Sequence, residues 1–389
     1  MSTRNVGRRL QDWRKRRGIT QREFSALAGV SLSLIRKLEQ GERQDTRLET
    51  LRKFAAALKI PTSELIEGSA SDEMAGVDTD QWSAVRKALH GLPRDEVAEE
   101  PTVEGVARSL ASAMPLFSSD RYSDLAMLLP PLLRDAEALG TEGRTVRARL
   151  LQHTGWLLTQ TRQFDAADLA LRRALDDASD RLDAAATVNM LAWLSIRQGR
   201  LTEAIALAAK WADDVEPRMS RATVAELSAW GWLLVRLSAA AMRNNQPGDA
   251  EDAIRLARTA AIAMGHEYSP PGDFLRAFGP ITVAMKRTEN AMVEDRPDKV
   301  LALAQNIPVR DMRPTSNNRN RHLLDVTNAQ VQLREYAEAF DLLQRVRHDA
   351  PEWTANQRYA RDIFGRIVSR RRTLTPDMRE FADFIHLPV

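Results

Sequence analysis

The chain contains no cysteine, which excludes a disulfide framework, a thiolate metal site and a thiol nucleophile. That absence fits a reducing compartment. No apolar run approaches the roughly 20 residues that a membrane span needs. The N-terminus lacks the apolar stretch of a signal peptide, so a soluble, cytoplasmic protein is expected. Glycine-rich phosphate loops, His-Glu-x-x-His and Gly-x-Ser-x-Gly are all missing. The 6 histidines are scattered, and none pairs with another at metal-ligand spacing on a helix. These absences point away from an enzyme and from any metal or organic cofactor.

What is present is a partition of charge. Residues 1–66 hold 15 Lys and Arg against 7 Asp and Glu, whereas the remaining residues hold 41 against 46. The net charge of +3 therefore conceals a first segment of +8 and a remainder of −5. A basic excess confined to one segment suits phosphate contacts along nucleic acid. With 389 residues, the chain has room for two or three domains with proper cores.

Within the basic segment, Gln21 to Gln40 reads as two short helices joined by a tight turn. Phe24, Ala28, Val30, Ile35 and Leu38 are spaced to bury one shared face. Gly29 stands where the chain must turn, a place that favours positive φ and no Cβ. Thr20 and Glu23 have the spacing of a capping box, and Ser31 can cap the second helix. A first helix over Val6–Arg16 puts Leu10 and Trp13 inward and Arg8, Arg9, Arg14, Lys15 and Arg16 outward. Leu48, Leu51, Ala55 and Leu58 mark a fourth helix, Pro61 stops the chain, and Thr62 caps a short fifth helix. Such a helix-turn-helix inserts its second helix into the DNA major groove. Arg36 or Lys37 can donate to guanine, Leu32 can pack on a thymine methyl, and Ser33 can bond either type of base. Arg43 and Arg47 are placed for backbone phosphates.

The runs ITQREFSALAGVS, IRKLEQGER and IPTSEL closely resemble the phage-repressor-like (Xre/Cro) family over residues 6–66. The resemblance implies a five-helix DNA-binding domain at 1–66, with Leu32, Ser33, Arg36 and Lys37 facing base edges and Gln21 on a phosphate. The expected DNA-binding set is Gln21, Ser31, Leu32, Ser33, Arg36, Lys37, Arg43 and Arg47. Its target is double-stranded DNA, bound as a homodimer on a pseudo-palindromic operator.

Residues 67–80 are small, acidic and unpatterned, and read as a linker. A short helix over Gln81–His90 follows, and the linker region ends near 101. From 102 to 389 the composition is that of helices. Leu151, Gly155, Leu158, Phe164, Ala167, Leu171 and Ala174 set a pattern that recurs from Val188 to Trp211 and in similar form from Leu324 to Val346. Weaker copies centre on Ala250, Val300 and Tyr122. Two closing helices are expected after Pro351. Residues 308–321 read as a polar, basic loop, and the segment between Pro270-Pro271-Gly272 and Pro280 as a candidate gating loop.

This pattern resembles the tetratricopeptide repeat, which implies an all-α chain ending in a right-handed solenoid with a concave groove. Groove positions would then hold Gln152 and Trp156, Asn189, Trp193 and Arg197, and Trp232 and Arg243. Tryptophans beside amides and guanidinium groups suit a peptide or amphipathic small molecule. The two parts together resemble ligand-responsive regulators, among them the peptide-responsive quorum-sensing family of Gram-positive bacteria and actinobacterial regulators. The other reading is an adaptor whose repeats grip a partner protein while the first domain localises it to DNA.

Overall fold

The computed structural model describes residues 6–43, 46–66, 81–91, 100–270, 272–308 and 316–387. Among these the chain is all α, with one isolated antiparallel bridge between Tyr268 and Phe278. The expected linker at 67–80 lies outside the described residues. No described helix is long and apolar enough to cross a membrane.

The N-terminal unit has five helices: α1 (Val6–Arg16), α2 (Gln21–Ala28), α3 (Leu32–Glu39), α4 (Leu48–Leu58) and α5 (Ser63–Ile66). Their apolar stripes meet in a core around Leu10, Phe24, Ile35, Leu38, Phe54 and Leu58, all fully buried. Gly7 lets α1 lie directly on α3, since a Cβ there would collide with the Leu38 carbonyl. A short α6 (Ser83–Leu89) follows.

Six helical hairpins come next: α7 (Val103–Ser118) with α8 (Tyr122–Ala138), α9 (Arg144–Gln160) with α10 (Phe164–Asp176), and α11 (Arg181–Arg197) with α12 (Leu201–Asp214). Then come α13 (Val224–Arg243) with α14 (Pro247–Met264), α15 (Pro280–Val293) with α16 (Pro297–Ala304), and α17 (Ser316–Gln332) with α18 (Tyr336–Asp349). First helices of successive hairpins pack side by side, from α7 on α9 through to α15 on α17. All six turns share one backbone device. Asp120, Arg162, Gly199, Asn245, Asp295 and Arg334 take positive φ. The N–H of each following residue donates to the carbonyl five residues back, at 2.8–3.0 Å. This is the bond that closes a helix with a left-handed cap. Five of these six residues are not glycine, so the repeat is carried by backbone geometry more than by residue type. Small residues matter at crossings instead: a Cβ on Gly155 would lie 2.5 Å from Leu171 Cγ.

From α9 onward the first helices form a largely buried inner layer, whereas α7 keeps one face exposed. In α9 each residue from Leu150 to Gln160 is buried. Its hydroxyls are satisfied within the helix, Thr154 donating to the Leu150 carbonyl and Thr159 to the Gly155 carbonyl, each at 2.8 Å. The His153 Nδ1 likewise pairs with the Arg149 carbonyl at 2.8 Å, but its Nε2 and both nitrogens of His322 have no hydrogen-bond partner among the described residues. His153 and His322 are almost wholly enclosed. Burial lowers both pKa values to about 4, with Lys286 adding to the effect at His322. Asp273 lies 4.0 Å from the His153 Nε2, beyond hydrogen-bond reach. Below about pH 6.5 only the unfolded chain takes up these protons. Stability is therefore expected to fall as pH drops from 6.5 toward 4 and to level off above. Urea midpoints measured across that range check this, and His322→Gln is expected to flatten the decline.

Four expectations are corrected. Arg14 does not face outward: it turns inward to bond Glu39 from Nε at 2.7 Å, because α3 brings that carboxylate beneath α1. The Thr62 hydroxyl has no hydrogen-bond partner and does not cap α5. Residues from Ser316 belong to α17 and not to a loop, while 309–315 lie outside the described residues. After Pro351 there are three helices: α19 (Pro351–Ala355), α20 (Arg358–Val368) and α21 (Pro376–Phe384). The extra one exists because Trp353 is buried and anchors it, its Nε1 donating to the Asn317 side chain at 2.9 Å.

Candidate DNA-binding face and repeat cavity

The turn between α2 and α3 is fixed at both ends. The Thr20 and Glu23 capping box starts α2, and Gly29 at φ 61° ends it. The Ser25 hydroxyl donates to the Val30 carbonyl at 2.6 Å, and the Leu34 N–H donates to Ser31 Oγ at 3.3 Å. Ile35 and Leu38 then face the core, leaving Ser33, Arg36 and Lys37 exposed and Leu32 half-buried. Ser31 and Arg43 are exposed at the two ends of α3. Gln21 is half-buried and donates to Glu39 at 2.8 Å. Burial alone would raise the Glu39 pKa, but hydrogen bonds from Arg14 and Gln21 hold it below the usual carboxylate range.

The opposite side of this domain is docked on the hairpins. The Thr62 N–H donates to the Asn244 carbonyl at 3.3 Å, and the Ser63 N–H to Asn244 Oδ1 at 2.8 Å. Asn244 thus supplies the acceptors at the start of α5 that Thr62 was expected to supply. Asn245 donates to the Ile60 carbonyl at 3.1 Å. Arg47 pairs with Asp362 of α20 at 2.8 Å, and Lys53 with Asp295 at 3.6 Å. Arg47, expected at a phosphate, is therefore engaged with the hairpin region, although its side chain stays half exposed.

Beneath α4 lies a cavity of about 230 Å³ on the inner side of the hairpins, with Leu48 on its wall. Of the expected effector residues, Trp156, Trp193, Arg197, Trp232 and Arg243 line it. Gln152 does not: its amide is buried and donates to Thr187 Oγ1 at 2.8 Å and to the Asp183 carbonyl at 3.3 Å. Asn189 lines a neighbouring cavity of about 40 Å³, where its Oδ1 accepts from Arg236 Nε at 2.8 Å. The polar edge of Trp232 is already used, donating to the Ala277 carbonyl at 2.9 Å.

Three wall cations escaped the sequence reading: Arg236, Lys286 and Arg321. Arg236 stands one helical turn after Trp232, a spacing that carried the signal. Burial lowers the Arg236 pKa to about 10, with Glu289 opposing the shift. At Arg197, burial and then the neighbouring Arg162, Arg321 and Arg243 lower it to about 10. Both remain charged at neutral pH. Glu289 is held well below the usual carboxylate range: burial opposes this, but Lys286 and Arg243 outweigh it. Residues 272–279 fold into the inner side and place Phe274 and Leu275 on the cavity wall. Phe274 packs there against Phe117, His153 and Trp156. Nothing in its Pro- and Gly-bounded sequence told which way it would fold.

The match to known proteins falls on the first domain. Residues 10–65 match the family model HTH_3, described as helix-turn-helix. The chain is 23% identical over 120 residues to the uncharacterized HTH-type transcriptional regulator RghRB of Bacillus subtilis (strain 168), covering 31% of this chain and 79% of that protein. It is 25% identical over 96 residues to the HTH-type transcriptional regulator SlrR of the same organism, covering 24% of this chain and 62% of that protein. Together with the capped turn and the buried face of α3, the match makes the N-terminal unit an Xre-type helix-turn-helix domain.

Proposed function

We propose that the chain is a sequence-specific DNA-binding transcriptional regulator, without enzymatic activity, whose hairpin region dimerises and senses a peptide or small-molecule effector. In this reading residues 1–66 bind DNA, 67–101 link, and 102–389 form a tetratricopeptide-like sensor. One recognition helix reads only a few base pairs, so two copies on a pseudo-palindromic operator are required for selectivity.

The observation that carries the reading is the position of α4. One of its residues, Leu48, lines the cavity, and its neighbours Arg47 and Lys53 pair with the hairpin region. An occupant touching Leu48 would therefore bind the docked and undocked arrangements with different affinity, which is the condition for an effector to act. The adaptor reading fits less well, since about 230 Å³ is small for a segment of a folded partner.

Genomic footprinting of the intact protein tests this function. Discrete protected sites, each with half-sites about one helical turn apart, are expected. Protection without sequence preference would end the reading. Light scattering should give a dimer on operator DNA, and a monomer with and without DNA would remove the dimer. Trp193→Ala combined with Asn189→Ala should keep DNA binding in the absence of effector while abolishing the response. Loss of helical signal in that variant would assign both residues to the core instead.

A further inference from the structure

Five cationic side chains gather at the cavity: Arg197, Arg236, Arg243, Lys286 and Arg321. Among the described residues, two carboxylates answer them. Glu289 pairs with Arg243 and, at 3.0 Å, with Lys286, while Asp325 pairs with Arg321 at 3.4 Å. Arg197 and Arg236 have no carboxylate within ion-pair distance among the described residues. Arg236 spends one N–H on Asn189. The Arg197 guanidinium makes no hydrogen bond among the described residues, and its charged neighbours Arg162, Arg321 and Arg243 repel it. Uncompensated charge of this kind is costly inside a fold and needs a counter-charge.

The same two guanidinium groups flank one ring. Arg197 Cζ lies 6.0 Å and Arg236 Cζ 5.7 Å from the centroid of Trp193. Arg236 also lies 4.9 Å from Trp232. Trp156 and Trp353 stand on the same wall, as do the buried amides Gln160 and Gln357, each with an Nε2 that has no partner. A wall of flat rings accepts a planar apolar body, and a guanidinium fork accepts a carboxylate or phosphate.

We propose that this cavity binds a small organic anion, a carboxylate or phosphate on a planar apolar body, with Arg197 and Arg236 holding the anionic group beside Trp193. This identifies the chemistry of the effector and rests on the regulatory reading above only for its consequence at DNA. At about 230 Å³ the space fits a metabolite-sized molecule.

The test uses the full chain, four probes and calorimetry: indole-3-acetate, its neutral amide indole-3-acetamide, the cation tryptamine, and phenyl phosphate. Indole-3-acetate or phenyl phosphate should bind at least about tenfold more tightly than the amide, with tryptamine weakest. The tighter of the two anions identifies the carboxylate or the phosphate as the group recognised. Arg197→Met should remove that advantage and leave amide binding unchanged, while Arg197→Lys should keep part of it. Amide binding as tight as the tighter anion, or no binding by any probe up to about 10 mM, overturns the assignment. The charge series on the unaltered protein decides the matter even where a variant fails to fold. Operator affinity is measured separately: an anion that binds without changing it upholds the site and removes the effector role.

Discussion

Glu39→Ala is expected to unfold the helix-turn-helix domain and abolish DNA binding. The carboxylate is buried, with Arg14 bonded to both its oxygens at 2.7 and 2.8 Å and Gln21 to one at 2.8 Å. It joins α1, the start of α2 and the end of α3, so its loss leaves the Arg14 guanidinium buried and unpaired. Breaking one side of such a pair costs about 3–5 kcal/mol. A unit of this size has a total stability of the same order, roughly 0.05–0.15 kcal/mol per residue. Arg14→Met combined with Glu39→Leu should recover most of the loss, because an apolar pair of similar volume removes the unpaired charge. Urea unfolding and operator binding read both variants. An unfolding curve for Glu39→Ala that overlays the parent would show that the apolar core alone holds α1 on α3. The same carboxylate predicts acid sensitivity. Its folded pKa is depressed, so its contribution is complete above the unfolded value of about 4.3 and is lost as pH falls through the folded value.

The second large effect concerns recognition. Arg36→Ala and Lys37→Ala should each cost about 1–3 kcal/mol on operator DNA and relax preference at the base pair they face. The double variant should approach the affinity of the protein for random DNA. Both side chains are exposed on α3 while Ile35 and Leu38, which flank them, are buried, so neither change should disturb the core. Arg43→Ala is expected to behave differently. A lost phosphate contact weakens binding to every sequence and lowers the salt slope by about one. Salt titrations on operator and random duplexes separate the two patterns. Equal losses on both duplexes from the α3 changes would place another face of the helix in the groove.

The first domain was almost wholly legible in the sequence. Its helices are short, its apolar spacing is local, and its caps lie within four residues of the positions they serve. Thr20, Glu23, Gly29 and Ser31 act through their own neighbours, and the structure places them as the spacing implied. The exceptions were residues whose partner lies far along the chain. Arg14 looked like one more solvated cation until α3 put Glu39 beneath it. Thr62 looked like a cap until Asn244, 181 residues from Ser63, took the acceptor's place.

For the hairpins, periodicity marked where helices pair but not what lies against their inner face. Trp156, Trp193, Trp232, Arg197 and Arg243 followed from repeat position and came together on one wall. Gln152 and Asn189 followed from the same rule, yet Gln152 donates to Thr187 and the Asn189 Oδ1 accepts from Arg236, each partner on an adjacent helix. Repeat position fixes the direction in which a side chain leaves its helix, whereas its partners depend on the neighbouring helix. By itself, then, the sequence determined an all-α chain with a basic helix-turn-helix ahead of repeated helical pairs. Only the tertiary structure decided that residues 272–279 fold inward, that α4 lies over the cavity, and that Arg197 and Arg236 are left without carboxylates among the described residues. The reason is physical: caps and amphipathic spacing act over a few residues, but charge compensation in this cavity is settled by groups that arrive from four different helices, α11, α13, α15 and α17.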